Sequence, residues 1–232
     1  MVLRTKKNPG LIPYQTVRKA IGWLGILLPA AMIIGNLIFS TCNSIQSSIS
    51  HYYYTITGHW FVGILCATAM FLISYTGYNQ VDNIVSSVAG FAALLIAFFP
   101  TNMVKEVPVT IINEGCLLFS LPENGIRNTV HYVSSGIFFV ALAYMSFFLF
   151  TKSKGEKTEE KKIRNKIFKT SGVIIIVSLV LIALYGFFGE SGDRLSELKP
   201  VFWLEWIALF AFGISWLVKG ETVLKDHSLT NE

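Results

Sequence analysis

Residues 131–169 read HYVSSGIFFVALAYMSFFLFTKSKGEKTEEKKIRNKIFK. The first twenty of them contain no Asp, Glu, Lys or Arg, whereas the last eighteen contain eight lysines and arginines. A helix needs about 20 apolar residues to cross the hydrocarbon core of a bilayer, and cytoplasmic loops carry an excess of Lys and Arg. The segment therefore predicts a transmembrane helix that ends at the cytoplasmic face of a membrane.

The composition of the whole chain agrees with a membrane location. Of its 232 residues, 53% are hydrophobic and only 14% are charged, against about 25% charged residues in a typical soluble domain. The net charge of +5 alone would suit a nucleic-acid partner. Because the basic residues cluster beside the apolar stretches, we expect membrane lipids as partners and no nucleic acid.

Six apolar stretches approach the length of a bilayer crossing. We predict an all-α, polytopic membrane protein, a bundle of six transmembrane helices, since backbone groups in lipid must bond within their own segment. The predicted spans are residues 20–40, 59–75, 84–99, 131–150, 172–188 and 201–218. They divide the chain into a cytoplasmic N-terminal segment (1–19), a transmembrane domain (20–219) and a cytoplasmic C-terminal tail (220–232).

The distribution of Lys and Arg predicts the orientation of these spans. With both termini in the cytoplasm, fifteen of the nineteen Lys and Arg residues lie inside and four lie outside. This balance predicts a multi-pass protein of a bacterial inner membrane with both termini cytoplasmic, and it is compatible with a homo-oligomer. The basic loop 152–169 is interpreted as a solvated cytoplasmic linker that could include a helical turn, with binding to anionic lipid headgroups as the alternative.

Polar residues collect on the predicted outer side, where they could line a binding pocket. The candidate ligand-binding residues are Glu205, His131, His59, Ser48, Ser50, His51 and Tyr53. Glu205 lies within the sixth span, and a carboxylate in an apolar span usually faces the bundle interior or a wet cavity. We therefore expect a non-enzymatic membrane protein that binds a lipid or small molecule at this outer pocket, with a role in transport or sensing.

Two other function classes remain open at this point. In a membrane-embedded, metal-dependent lipid hydrolase, His59, His131 and Glu205 would hold the metal, because a catalytic zinc needs about three protein ligands. A serine nucleophile next to His51 has less support, since the chain contains no GxSxG motif. A channel or ion-coupled transporter needs ionisable groups along a path through the bilayer, and the middles of the six spans lack them. The sequence identifies no cofactor.

Cysteines and tyrosines on the outer side have structural interpretations. Cys42 and Cys116 fall in the first and second outer loops and could form a disulfide if that compartment is oxidising. Cys66 lies in the middle of the second span and is interpreted as a small packing residue. The tyrosine run 52–54 is typical of an interfacial aromatic belt.

Three further features predict helix ends and helix packing. Asp82 precedes the third span and is interpreted as its N-cap. Asn36 lies deep in the first span, where polar side chains often bond between helices. Gly213, with Ala208 and Ala211 nearby, predicts a close approach of the sixth span to a neighbouring helix.

Several segments resemble known membrane families. SSISHYYYT (47–55), GFAALLIAFFPT (90–101) and FWLEWIALFAFGISWLVKG (202–220) resemble uncharacterised six-helix bacterial membrane proteins of the domain-of-unknown-function type. That resemblance implies the fold and no activity.

A second resemblance is to the alkaline ceramidase and adiponectin-receptor-like superfamily, which places a Ser, an Asp and three His around a zinc. Its counterparts here are Ser50, His51, His59, Asp82 and His131. It implies lipid hydrolysis, although this chain lacks the seventh span and the paired histidines of the last helix.

Overall fold

The computed structural model describes residues 14–41, 44–103, 116–153, 158–188 and 194–222. Within these ranges the regular structure is helical and includes no β-strand. The long helices are α1 (Tyr14–Phe39), α2 (Gly58–Ile73), α3 (Gln80–Phe98), α4 (Gly125–Tyr144), α5 (Glu159–Phe188) and α6 (Pro200–Lys219). A 3₁₀ turn spans Ser50–Tyr54, a π-helical turn (Met145–Leu149) extends α4, and a single helical turn spans Arg194–Glu197.

Five of these helices are long and apolar enough to cross a membrane: α1, α3, α4 with its π-helical turn, α5 and α6. The chain is therefore an all-helical protein of the integral membrane type, as its sequence predicted. The sixth predicted span corresponds to α2, which is apolar but has only sixteen residues. By length alone α2 falls short of the roughly 20 residues that a full crossing needs.

The six helices form a closed ring. In the described residues each helix packs against the one before it and the one after it, and α6 packs against α1. Close approach of α1 and α6 depends on glycine, because a Cβ atom on Gly213 would lie 2.6 Å from the backbone oxygen of Gly22. The prediction of a small-residue contact at Gly213 is confirmed.

One end of the ring, which we call the terminal end, holds the first and last described residues. The Tyr14 hydroxyl donates a hydrogen bond to the Thr76 carbonyl in the α2–α3 turn. Arg18 donates to the Lys219 carbonyl at 3.2 Å. The start of α1, the α2–α3 turn and the end of α6 therefore meet at this end.

The opposite end, which we call the loop end, holds the 3₁₀ turn and the chain segments that flank α3 and α4 there. The backbone N–H of Leu118 donates to the Tyr54 carbonyl at 2.9 Å. The Tyr54 hydroxyl donates to the Thr101 carbonyl at 2.6 Å. These contacts join the α1–α2 and α3–α4 connections into one layer above the ring.

The basic loop 152–169 is largely helical, so its interpretation as a linker is wrong from Glu159 onward. Helix α5 begins at Glu159, thirteen residues before the predicted start of the fifth span at residue 172. Acidic residues in the first turn of α5 complement the helix dipole, and Lys162 bonds Glu159 at 2.6 Å. Hydropathy marks only the bilayer-crossing part of a helix, and it therefore missed this polar extension.

The N-cap of α3 lies three residues before its predicted position. Asn79 is the N-cap, and its side chain accepts the backbone N–H of Asp82 at 3.1 Å. The Asp82 carboxylate accepts the backbone N–H of Tyr78 at 2.8 Å and also pairs with Lys152. Asp82 thus closes a reciprocal arrangement similar to a capping box.

The structure also bears on the interpretations of Asn36 and of the cysteines. Asn36 is buried, but its side-chain oxygen has no hydrogen-bond partner in the described ranges, so the predicted bond between helices is not made by that oxygen. Cys116 is disulfide-bonded and Cys66 is free. The predicted partner of Cys116, Cys42, lies outside the described residues.

Candidate functional site

A buried serine–histidine pair connects the 3₁₀ turn to α4. The Ser50 hydroxyl lies 3.0 Å from Nε2 of His131, and Nδ1 of His131 lies 2.8 Å from the carbonyl oxygen of Phe99. Because a carbonyl only accepts, Nδ1 carries the proton, and Nε2 accepts the hydrogen bond from Ser50. His131 is only 3% exposed. Both of its nitrogens therefore have partners within the protein.

A second pair of this kind lies closer to the surface. Nδ1 of His51 is 2.6 Å from the Ser47 hydroxyl, and Nε2 of His51 is 3.3 Å from the Asn102 carbonyl oxygen. The backbone N–H of His51 donates to the Ser48 hydroxyl at 3.2 Å. Burial lowers the pKa of His51, the Asn102 carbonyl offsets part of this change, and the Lys199 charge lowers the pKa further.

Glu205 holds the same loop from the side of α6. Its Oε2 accepts the backbone N–H of Ile49 at 2.7 Å. Within the described ranges no lysine, arginine or histidine forms an ion pair with it. Glu205 is thus a partly buried carboxylate whose second oxygen has no hydrogen bond to a described residue.

A polar layer that the sequence did not reveal surrounds these pairs. The side-chain oxygen of Asn128 accepts hydrogen bonds from the Thr101 hydroxyl at 3.0 Å and from the Asn102 backbone N–H at 2.9 Å. Arg127 donates to the Asn102 side chain at 2.8 Å and to the Pro100 carbonyl at 3.1 Å. The sequence indicated only where the neighbouring helices end: Pro100 follows the end of α3, and Asn124 is the N-cap of α4. It did not indicate the hydrogen bonds between these segments.

The tyrosine run does not form the expected interfacial belt. Tyr52 and Tyr54 are fully buried, and burial raises the pKa of both phenols. Tyr53 is partly buried and packs edge-on against Tyr54 and Phe119. These rings anchor the 3₁₀ turn to the connection before α4, so the belt interpretation is wrong for Tyr52 and Tyr54.

The seven candidate residues are only partly brought together. Ser48, Ser50, His51, His131 and Glu205 converge at the loop end through the bonds above, and Tyr53 packs beside them. His59 instead lies exposed on α2, with its ring against the adjacent Trp60.

The metal site proposed for the hydrolase alternative is not assembled. Across the described ranges, no group of three or more His, Cys, Asp and Glu residues could hold a metal ion. His131 already uses both ring nitrogens, and His59 faces away from it. Asp82, required by the ceramidase-like zinc set, lies at the terminal end.

An apolar groove of about 610 Å³ runs between α5 and α6. The rings of Trp203 and Trp206 line it and stack 5.5 Å apart. At 3.6 residues per turn, Glu205 lies on the opposite side of α6 from this groove. The groove and the polar cluster of the loop end are therefore separate surfaces.

No protein-family model, curated protein or solved structure matches this chain. Its function must therefore be argued from the geometry above.

Proposed function

We propose that this chain is a non-enzymatic, six-span protein of a bacterial inner membrane that binds a lipid or small molecule at the loop end. The observation that carries the proposal is Glu205. A carboxylate placed within an apolar, membrane-type helix is costly unless it is paired. Glu205 has one described hydrogen-bond partner and no described cation.

The Glu205 oxygen that has no partner among the described residues indicates the chemistry of the ligand. A carboxylate accepts through both oxygens, so the oxygen not bonded to Ile49 favours an ammonium or hydroxyl donor. The buried side-chain oxygen of Asn36, near the same end of α1, is a second acceptor without a described partner. We infer a ligand whose polar head donates hydrogen bonds, such as an amine-bearing lipid.

Chain connectivity supports α2 as the sixth span. Helix α1 ends at the loop end, and α3 begins at the terminal end, so α2 connects the two. Its sixteen residues correspond to about 24 Å at 1.5 Å per residue. That length is within a few ångströms of a thin hydrocarbon core of about 27 Å.

Charge and cysteine chemistry support the orientation. The terminal end carries most of the lysines and arginines that the structure describes, which favours the cytoplasmic side. The disulfide-bonded Cys116 belongs to the loop end, and disulfides persist in oxidising compartments such as the periplasm. Both termini are therefore assigned to the cytoplasm.

Native mass spectrometry of the protein from lipid nanodiscs tests the ligand assignment. The wild type should retain phosphatidylethanolamine, which has an ammonium donor, in preference to phosphatidylcholine, which has no N–H donor. Glu205→Gln keeps an acceptor for the Ile49 N–H and removes the charge, so it should abolish the preference. Glu123→Gln, an exposed carboxylate change at the same end, is the matched control. Equal retention of the two lipids by the wild type, with no effect of Glu205→Gln, would contradict the proposal.

A hydrolase is the second candidate, and the Ser50–His131 pair is the observation that favours it. Nε2 of His131 is oriented to accept the Ser50 proton, as a general base requires. Labelling by a fluorophosphonate probe that disappears in Ser50→Ala but persists in Ser47→Ala would establish a serine nucleophile. Without such labelling, the pair acts as the hydrogen-bonded anchor of the 3₁₀ turn.

A further inference from the structure

A polar pocket of about 390 Å³ opens at the terminal end, whereas Glu205 lies at the loop end. Its walls come from the starts of α1 and α5, the end of α6, the α2–α3 turn and the segment after α4. Ligand sites typically have volumes of about 300–1,000 Å³. This pocket therefore has room for a small ligand or a lipid headgroup.

Basic side chains dominate the lining of this pocket. Five cations reach it from four parts of the chain: Arg18, Lys152, Lys161, Arg164 and Lys219. The acidic residue in the lining is Glu221, which accepts a hydrogen bond from Gln15 at 2.8 Å. Asp82 reaches the same region and pairs with Lys152. Among the described residues, the charge that faces the pocket is therefore positive.

Two of these cations are buried, although a flexible lysine or arginine near a membrane surface normally extends into water. Arg164 is 7% exposed and Lys219 is 8% exposed. Nζ of Lys219 lies 5.0 Å from the centre of the Tyr78 ring and 5.6 Å from that of Phe150. Aromatic faces stabilise a partly desolvated ammonium but do not neutralise its charge.

The electrostatics of Lys219 show how closely the cations gather. Arg18, Lys161 and Arg164 all lie near enough to repel its ammonium, and Asp82 is near enough to attract it. Like charges brought together in a partly desolvated place repel one another, and an anion bound among them reduces that repulsion. The excess of positive-inside residues explains cations near this membrane face, but it does not require them to converge on one cavity.

Arg18 provides a second, independent observation. Its guanidinium stacks over the Tyr14 ring at 4.1 Å and donates to the Lys219 carbonyl through Nη1. Its Nε is buried and has no hydrogen-bond partner in the described residues. A buried N–H without an acceptor is rare and destabilises the fold. The guanidinium as a whole lines the pocket, where an anion would offset its charge.

We propose that this terminal-end pocket is a binding site for a phosphate group, held by Arg18, Lys161, Arg164 and Lys219. Arginine donors match the geometry of phosphate oxygens, and lysine adds point charge. The phosphate belongs either to a free anion or to the headgroup of an anionic lipid in the same leaflet. The site is distinct from Glu205 and makes no use of the amine-binding function proposed above.

Two measurements on the full-length protein in phosphatidylcholine nanodiscs distinguish the sources. In the first, inorganic phosphate replaces chloride at constant ionic strength while thermal unfolding is followed. In the second, phosphatidic acid is added to the bilayer, and its retention is measured by native mass spectrometry. Stabilisation by phosphate identifies a free anion, and selective retention of phosphatidic acid identifies a headgroup; either result supports the site.

Adjacent lysines on α5 provide a matched pair of variants. Lys161 lines the pocket, whereas Lys162 faces outward and pairs with Glu159. Lys161→Gln should weaken phosphate or phosphatidic acid binding about tenfold, the value expected for one charge-assisted hydrogen bond. Lys162→Gln should leave binding unchanged, and Lys161→Arg should restore most of it.

Two binding results would contradict the phosphate site. If neither probe binds the wild type, or if Lys161→Gln and Lys162→Gln weaken binding equally, the cations bind no phosphate as a group. Should Lys161→Gln fail to fold, Lys219→Gln removes another charge from the same wall and is compared with the same control. Glu205→Gln should not alter phosphate binding, so this test and the test at the loop end fail independently.

Discussion

The two ends of the ring solve opposite electrostatic problems. At the loop end, buried polar side chains are mostly neutral and bond to one another or to carbonyl oxygens, as Ser50, His131 and Phe99 do. At the terminal end, charged side chains converge, and Arg18 keeps a buried donor without a described acceptor. A satisfied network rigidifies a structure, whereas an excess of like charge leaves stability to be gained from a counter-ion.

This difference separates residues that hold the fold from residues available to a ligand. His131 was predicted to be a ligand-binding residue, yet its two ring nitrogens are already bonded to Ser50 in the 3₁₀ turn and to the Phe99 carbonyl at the end of α3. Lys219 enters the sequence analysis only through the count of cytoplasmic Lys and Arg, yet it lies in a cavity lined by four other cations. Glu205 is the exception at the loop end, because one of its oxygens remains without a described partner.

The largest effect should follow from breaking the loop-end network at His131. His131→Ala leaves the Phe99 carbonyl and the Ser50 hydroxyl without their partner and opens a cavity, so we expect a loss of about 3–4 kcal/mol of unfolding free energy. SDS titration in mixed micelles measures it. The exposed His59→Ala should change stability by less than about 0.5 kcal/mol. Similar losses in the two variants would mean that the His131 contacts do not support the fold.

The sequence indicated which residues gather at the loop end, but it did not indicate which hydrogen bonds they form there. Counting Lys and Arg predicted that the first outer loop, His131 and Glu205 lie on one side of the membrane, and the structure brings residues 47–54 of that loop together with His131 and Glu205. Their pairing depends on the 3₁₀ turn, whose position is fixed by tertiary contacts of Tyr52 and Tyr54 rather than by any local pattern. For the same reason the exposure of His59 could not be read from its place at the start of a span.

The terminal-end pocket was invisible in the sequence for a different reason. Its cations come from positions as far apart as 18 and 219, and each one fits the ordinary excess of basic residues on a cytoplasmic face. Only the closure of the ring, with α6 against α1, brings Arg18 to Lys219. Each of the six predicted apolar stretches corresponds to a helix, and five of these helices are long enough to cross a membrane. The start of α5 at Glu159 did not follow from apolar length, because its first turns are polar.

An effect of opposite sign should appear at the terminal end. In phosphate-free buffer, Lys219→Met removes a buried ammonium that three cations repel and keeps an apolar chain over Tyr78 and Phe150. We expect the unfolding free energy to rise by about 1 kcal/mol, since replacing buried charge by an apolar group is often stabilising. SDS titration again measures it, with Lys162→Met as the control.

Added phosphate sharpens that result. It should stabilise the wild type more than Lys219→Met, because the variant has lost part of the anion site. A destabilised Lys219→Met protein in phosphate-free buffer would show that Lys219 is already neutralised within the fold, and the contrast between the two ends would disappear.

The smallest effect concerns pH and the second histidine pair. Burial lowers the pKa of His51 below its ordinary value of about 6.5. The folded state therefore binds this proton less readily than the unfolded state does. The resulting stability is fully present above about pH 6.5 and is lost as the pH falls toward the lowered folded pKa. Thermal unfolding from pH 7.5 to 5.5 should show a decline that is shallower in His51→Gln.

Two further variants test whether His51 causes this acid sensitivity. Exposed His59 lacks the buried contacts of His51 with Ser47 and Asn102, so His59→Gln should reproduce the wild-type decline. If His51→Gln declined as steeply as the wild type, the acid sensitivity would arise elsewhere, for example at the carboxylates of the terminal end. Because Lys199 adds to the lowering of the His51 pKa, Lys199→Gln should raise that pKa and flatten the decline slightly. A flatter decline in Lys199→Gln would show that the loss of stability at low pH arises from the neutral hydrogen-bonded pairs of the loop end. It would then not arise from the cations of the terminal end.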